Sequence, residues 1–407
     1  MPIWSAMELP LSDVFALKSA IRLVPRRFLA RIFTLEGLAS VGGNLLMYGI
    51  FFYMHKRFGW GARKNLLLSS AEGIAYVIGA LAANPLSHRI DRQQLLRVLE
   101  IGMVIVALAA ACFAIPLVLV VLLLGYTMLS AAQWPLMESL ISVGTTPAEL
   151  SRRISIYNLV WSGTGAMTVA ACGVLIARFP QGIFLATAAA HLAGCALLLR
   201  IHPQPDRAHA QLLPDPELIP LRKLAKRLSR IVLPATFAVI YALGAIMPTL
   251  PVIQSAHAEV RTLLAGVWMI ARWLCFVLLG ATAWWHTRPR ALLAAAVILL
   301  AAFLGVTLIP SVLSMILWQL VLGAAMGLIY SASLYFGMVL SDGSTAQNAY
   351  HEALIGVGCI LGPGCGALAS QIRPGDPHAA VLAVAAILWI SIMAACVVSL
   401  QSHRPAG

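Results

Sequence analysis

Arg272 is the side chain in this sequence with the strongest claim to chemistry. It stands about ten residues from either end of an apolar stretch, with Trp268 one turn before it and Cys275 about one turn after. A guanidinium does not lose its charge easily. In such a setting it must find a carboxylate, an anionic ligand or water. Two readings follow: it pairs with a buried acid such as Glu36 or Glu72, or it binds an anionic substrate. Glu36 shares a helical face with Ser40, Gly43 and Met47, and Asn44 flanks it. A carboxyl removed from water is a natural carrier of a coupling proton. The alternative places Glu36 close enough to its helix end to reach water or to pair with Arg31. Glu72 shares a face with Ser69, Tyr76 and Gly79 and offers the same choice between coupling and a buried structural pair.

Uncharged candidates follow the same logic. Tyr126, Ser130, Gln133 and Met137 align at helical spacing; Tyr157, Asn158 and Trp161 cluster in one run, and Gln319, Tyr330 and Tyr335 in another. Side chains of this kind line solute cavities or join helices in lipid. His351 and Glu352 open a late helix, where an acid is favoured by the helix dipole, so capping or latching is the plainer reading for them. Glu138 is read as an end-of-helix residue contacting the loop that follows. No Walker loop, HExxH or GxSxG sequence is present, nor a metal-ligand cluster at recognisable spacing. The expectation is therefore no enzyme, no cofactor and no metal.

What positions these residues is a set of long apolar segments. The 407 residues are 60% hydrophobic and only 11% charged, against about 25% charged in soluble domains. Ile101–Tyr126, Ile231–Gln254 and Ala291–Ser341 carry no charge. In lipid every backbone amide must be satisfied within its own helix, so such runs read as spanning helices. Twelve are predicted, near 28–54, 65–84, 96–114, 117–138, 154–177, 182–200, 231–251, 262–284, 291–309, 313–336, 349–371 and 378–400. Ionisable groups at the centre of a span cost at least about 2.5–3.5 kcal/mol, which is why the few present call for a function.

The net charge of +13 does not indicate nucleic acid, because the cations sit in short loops between apolar runs. With the N-terminus inside, twenty lysines and arginines fall on the inner side and seven on the outer, with Arg272 within a helix. That bias predicts both termini on the cytoplasmic side; the membrane expected is a bacterial-type inner one. The exception is the first outer loop, 55–64, with four cations. The predicted organisation is an amphipathic segment 1–27, a six-helix bundle 28–200, a cytoplasmic linker 201–230 with a short interfacial helix at Leu221–Arg230, a second bundle 231–400 and a tail 401–407. Pro248 and Pro251 are placed to bend the seventh helix. No cleavable signal peptide is expected, and the seven cysteines read as small buried hydrophobes rather than disulfides.

The halves show traces of duplication. At an offset of 193 residues, Tyr157, Gly163, Gly165, Cys172 and Gly173 in the fifth helix meet Tyr350, Gly356, Gly358, Cys365 and Gly366 in the eleventh. Twelve helices in two parallel halves resemble the major facilitator superfamily over about residues 28–400. The family's loop pattern Gly-x-x-x-Asp-Arg-x-Gly-Arg-Arg is similar to Asn84-Pro85-Leu86-Ser87-His88-Arg89-Ile90-Asp91-Arg92-Gln93. Arg89 and Arg92 match, whereas Asn84 and Asp91 replace glycines and His88 replaces the acid. The stretch Gly358-Cys359-Ile360-Leu361-Gly362-Pro363-Gly364-Cys365-Gly366 is similar to the family's Gly-x-x-x-Gly-Pro-x-x-Gly. The Arg-x-x-x-Gly pattern of the fourth helix is absent.

The resemblance implies an all-α membrane carrier, a cavity lined by helices one, four, seven and ten, and alternating access. It makes Arg89, Asp91, Arg92, His351 and Glu352 gating candidates. The substrate and coupling candidates are Glu36, Asn44, Glu72, Gln133, Asn158, Trp161, Arg272, Gln319 and Tyr330. The expected function is secondary transport of a small solute, proton-coupled, by a monomer in the bilayer. The solute is either an amphipathic compound that is exported or a small organic anion held by Arg272. A receptor that kept the carrier fold without transport is the third reading.

Overall fold

The computed structural model describes residues 26–113, 115–142, 147–201, 218–341, 344–376 and 378–402. The amphipathic segment 1–27 and the tail 401–407 therefore lie almost wholly outside the described residues, as does most of the expected linker. Twelve principal helices run in chain order: α1 (Arg26–Phe58), α2 (Ala62–Ser87), α3 (Arg92–Cys112), α4 (Pro116–Ser142), α5 (Pro147–Arg178), α6 (Gly182–Leu198), α7 (Ile219–Ile246), α8 (Val267–Ala281), α9 (Ala291–Leu308), α10 (Val312–Val339), α11 (Thr345–Ile372) and α12 (Ala379–Gln401). Ten of the described helical segments are long and apolar enough to cross a membrane, and α6 and α8 are shorter apolar helices. There is no strand among the described residues. The chain is an all-α integral membrane protein.

Burial follows from the surrounding lipid. Large apolar side chains such as Ile101 and Ile105 of α3, Leu192 of α6, Ile298 of α9 and Trp389 and Ile390 of α12 point outward. Polar side chains point inward, away from lipid: Glu36, Ser69, Glu72, Glu100, Gln133, Asn158 and Gln319 are all buried.

Three elements depart from expectation. Helix α7 runs unbroken from Ile219, so Leu221–Arg230 is its first part and not a separate interfacial helix. Beyond Ile246 it tightens into a 3-10 turn at Met247–Thr249, and Leu250 is extended before the short helix Pro251–Gln254. Prolines at 248 and 251 cannot donate to the preceding turn. The eighth span is split, with a turn at Arg261–Ala265, a break at Gly266 and then α8. Helix α1 carries a π-helical turn at Leu45–Gly49, a feature common beside functional sites.

The halves meet chiefly along two helix pairs, with α4 also reaching α11. α2 lies against α11, and α5 lies against α8. Close approach needs small residues. A Cβ on Gly73 of α2 would stand 2.6 Å from the backbone nitrogen of Ile360, and one on Gly356 of α11 would stand 2.6 Å from Val77.

Candidate functional site

The seam between the halves encloses a cavity of about 150 Å³. Helix α1 supplies Glu36, Ser40, Asn44, Met47 and Tyr48 to its wall. α7 supplies Phe237, Ile240 and Tyr241, and α8 supplies Trp268, Met269 and Arg272. α4 and α10 contribute one residue each, Trp134 and Tyr330. The expected lining by helices one, four, seven and ten is thus widened: α5 adds Tyr157 and Trp161, α2 adds Tyr76 and α11 adds Glu352. The π turn and the break at Gly266 border this space. Tyr48, within the π turn, donates to the carbonyl of Ala265 at 3.0 Å, joining the two irregular segments across the seam.

Arg272 is 4% exposed and stands among aromatic rings. Its guanidinium carbon lies 4.2 Å from the ring centre of Trp161 and 4.8 Å from that of Trp268. Among the described residues its one hydrogen bond runs from Nη1 to the sulfur of Met326 at 3.8 Å, and Nε has no partner. The expected structural pair with Glu36 or Glu72 is not formed: among the described residues no carboxylate is within ion-pair distance of Arg272. Cation–π contact holds a guanidinium in place but leaves its donor edge free. Asn158, buried behind the cavity wall, accepts a 3.0 Å bond from the indole nitrogen of Trp161 and so fixes that ring.

Glu36 is 1% exposed. It accepts from Ser40 at 3.2 Å, and its second oxygen is unpartnered. It neither reaches water nor pairs with Arg31, which instead donates to the carbonyl of Arg200. Asn44 donates to the carbonyl of Ser40 at 2.8 Å. Glu72 is buried with both oxygens unpartnered, but it is not part of the cavity wall.

Two other candidates face elsewhere. Gln133 donates to Glu100 at 2.6 Å inside the first bundle. Gln319 donates to the carbonyl of Leu264 at 2.8 Å and so braces the broken start of the eighth span. The sequence reading passed over Glu100 and His191. Here Glu100 bonds Nδ1 of His191 at 2.7 Å, and Nε2 of His191 meets the Tyr126 hydroxyl at 2.8 Å. Glu100 falls within the predicted helix 96–114, and an acid inside a span is the signal that was available.

The gating candidates also resolve. Asp91 accepts from the backbone nitrogens of Gln93 and Gln94, so it caps α3. Arg89 and Arg92 form no ion pair among the described residues. His351 and Glu352 do not cap α11: Ser344 holds that position, accepting from Gln347, and helix α11 begins at Thr345. His351 and Glu352 lie nearly two turns inside, buried, where Tyr76 of α2 donates to Glu352. Glu138 is buried beside them.

Two six-helix bundles thus close around a largely apolar, aromatic-walled cavity that holds a few buried charged and polar groups. The chain belongs to the Major Facilitator Superfamily, whose family model matches residues 32–363. Among solved structures, the nucleoside transporter NupG is similar with a TM-score of 0.65 at 13% identity, covering 93% of this chain and 99% of that one. A bacterial homologue of the human lysosomal transporter Spinster, in an inward-facing and occupied conformation, is similar with a TM-score of 0.59 at 17% identity, covering 92% and 94%. No curated protein matches the sequence. The chain is a secondary transporter of a small molecule, not an enzyme.

Proposed function

We propose that this carrier moves an amphipathic organic anion across a bacterial-type inner membrane, with its termini in the cytoplasm, and couples that movement to protons. The observation that carries the reading is the unpaired guanidinium of Arg272 in the cavity wall. A buried cation without a carboxylate is costly, and an anionic solute would supply the missing charge. Arginine's planar fork suits a carboxylate or phosphate bound by two parallel hydrogen bonds. Trp161, Trp268, Tyr241 and Tyr330 offer apolar faces for the rest of the solute. The present volume of about 150 Å³ is below the roughly 300–1,000 Å³ of drug-sized sites. Loading therefore requires the halves to part, as alternating access demands.

Glu36 is the coupling residue in this reading. It shares the cavity with Arg272, while Glu72 lies behind the wall. A proton on Glu36 and an anion on Arg272 would enter the seam together and leave it nearly neutral.

A thermal-shift screen of purified protein against organic anions and neutral analogues tests the substrate class. Ligand binding to the folded state raises its apparent stability. Stabilisation by anions that disappears in Arg272→Ala supports the reading; equal stabilisation by neutral analogues contradicts it. For coupling, Glu36→Gln should lose pH-driven accumulation while keeping exchange, and Glu72→Gln should keep both. Retained accumulation in Glu36→Gln would remove Glu36 from the coupling role.

A further inference from the structure

Glu138 of α4 and the His351–Glu352 pair of α11 belong to opposite halves. One oxygen of each glutamate and a ring nitrogen of His351 nevertheless all lie within 4.8 Å of one another. The three residues are 0, 3 and 2% exposed. Their surroundings leave them short of partners. Among the described residues no group but the Glu352 carboxyl faces Glu138 as a hydrogen-bond partner, and Nε2 of His351 is unpartnered. Ser333 meets only Nδ1 of His351, at 3.1 Å, and Tyr76 donates to Glu352. Arg230 does not neutralise the group: it donates to Gln347 at 2.8 Å and stacks over Tyr350. Buried carboxylates in this condition are costly unless a cation joins them or a proton neutralises them.

We infer that Glu138, His351 and Glu352 form a binding site for a divalent transition-metal ion that clasps the two halves together. Two carboxylates and an imidazole are a donor set for ions such as Mn²⁺ or Zn²⁺, whereas Mg²⁺ and Ca²⁺ favour oxygen alone. Metal–ligand bonds of about 2.0–2.2 Å bring ligand atoms closer together than 4.8 Å, so modest side-chain rotation completes the set. The Ser333 contact holds the ring from its far side, as second-shell partners of metal-bound histidines do. Because α4 and α11 must both be present, the ion binds only while this side of the seam is closed. The loop at 84–93 lacks the acid of the family pattern, and its Asp91 is engaged as a helix cap. The clasp offers another way to hold the same side shut. The inference does not rest on Arg272 or on the identity of the solute.

The test is a titration of untagged, metal-free protein in detergent at neutral pH with Mn²⁺, followed by electron paramagnetic resonance of the free ion. The expected result is one saturable site per chain, displaced by Zn²⁺ and not by Mg²⁺. Glu138→Gln and Glu352→Gln should each weaken binding at least tenfold, and Glu72→Gln, a buried acid outside the cluster, should not. No saturable binding to the unaltered protein overturns the site outright, without recourse to variants. Undiminished binding in both glutamine variants overturns it as well, by placing the ion elsewhere, with the Glu100–His191 pair the first alternative.

Discussion

At the scale of single residues, every charge buried in the spans needs compensation. Arg272 was legible in the sequence as a cation inside a span, because lipid makes such a residue exceptional. Its partners were not legible. Trp268 is on the same helix, but Trp161 reaches it from α5 in the other half. Only the fold could decide between an acid partner and aromatic walls. The same limit hid the meeting of Glu138 with His351 and Glu352, since nothing local in the sequence brings α4 to α11.

A residue outside the spans gives a pH prediction. His286, between α8 and α9, stacks on Tyr335 with ring centres 4.3 Å apart and planes 3° from parallel. Burial, with the Arg222 charge adding to it, pushes its pKa from 6.5 down to about 4. The folded state thus binds fewer protons than the unfolded state between these values. Stability should be fully present above about pH 6.5 and fall as the pH drops towards 4. His286→Phe should flatten this part of the pH dependence of Tm. An unchanged acid limb would show that other groups control it.

At the scale of elements, periodicity and apolar length revealed the twelve principal helices, and Pro248 and Pro251 the bend at the end of α7, but not the other irregularities. The π turn in α1 and the break before α8 arise from contacts across the seam, including the Tyr48–Ala265 bond. Glycines show the packing most directly. A Cβ on Gly362 would lie 2.2 Å from the carbonyl oxygen of Ala238 in α7, a backbone atom with little room to yield. Gly362→Ala should therefore lower stability by about 1–3 kcal/mol, read as a reduced Tm. Gly73→Ala meets backbone of the opposite half and should instead favour separation of α2 from α11. Thiol labelling of Cys359, buried on α11 near Gly73, should then become faster. Slower or unchanged labelling would contradict that role for the α2–α11 seam.

At the scale of the whole molecule, the repeat seen in the sequence has a spatial counterpart. Helices α5 and α11 are equivalent in the two halves, and each packs against a helix of the other half: α5 on α8, α11 on α2. The aligned pair Gly163 and Gly356 make matching contacts. A Cβ on Gly163 would lie 2.8 Å from Trp273 of α8, and one on Gly356 would lie 2.6 Å from Val77 of α2. The aligned tyrosines have diverged, with Tyr157 buried at the cavity and Tyr350 exposed. Halves joined through two such seams can rock about the enclosed site. At the rim, the exposed Arg178–Glu259 pair at 2.8 Å also spans the halves. A surface pair of this kind contributes at most about 1 kcal/mol, so Arg178→Ala should change Tm little.

The central claim is that an anionic solute completes the charge of Arg272. The most direct measurement is solute counterflow in proteoliposomes, using an anion found by thermal shift, with unaltered protein, Arg272→Lys and Arg272→Gln compared at equal incorporation. The account predicts full exchange by the unaltered protein, reduced exchange with lysine, which keeps the charge but loses the fork, and none with glutamine. Exchange by Arg272→Gln at the unaltered rate would contradict it.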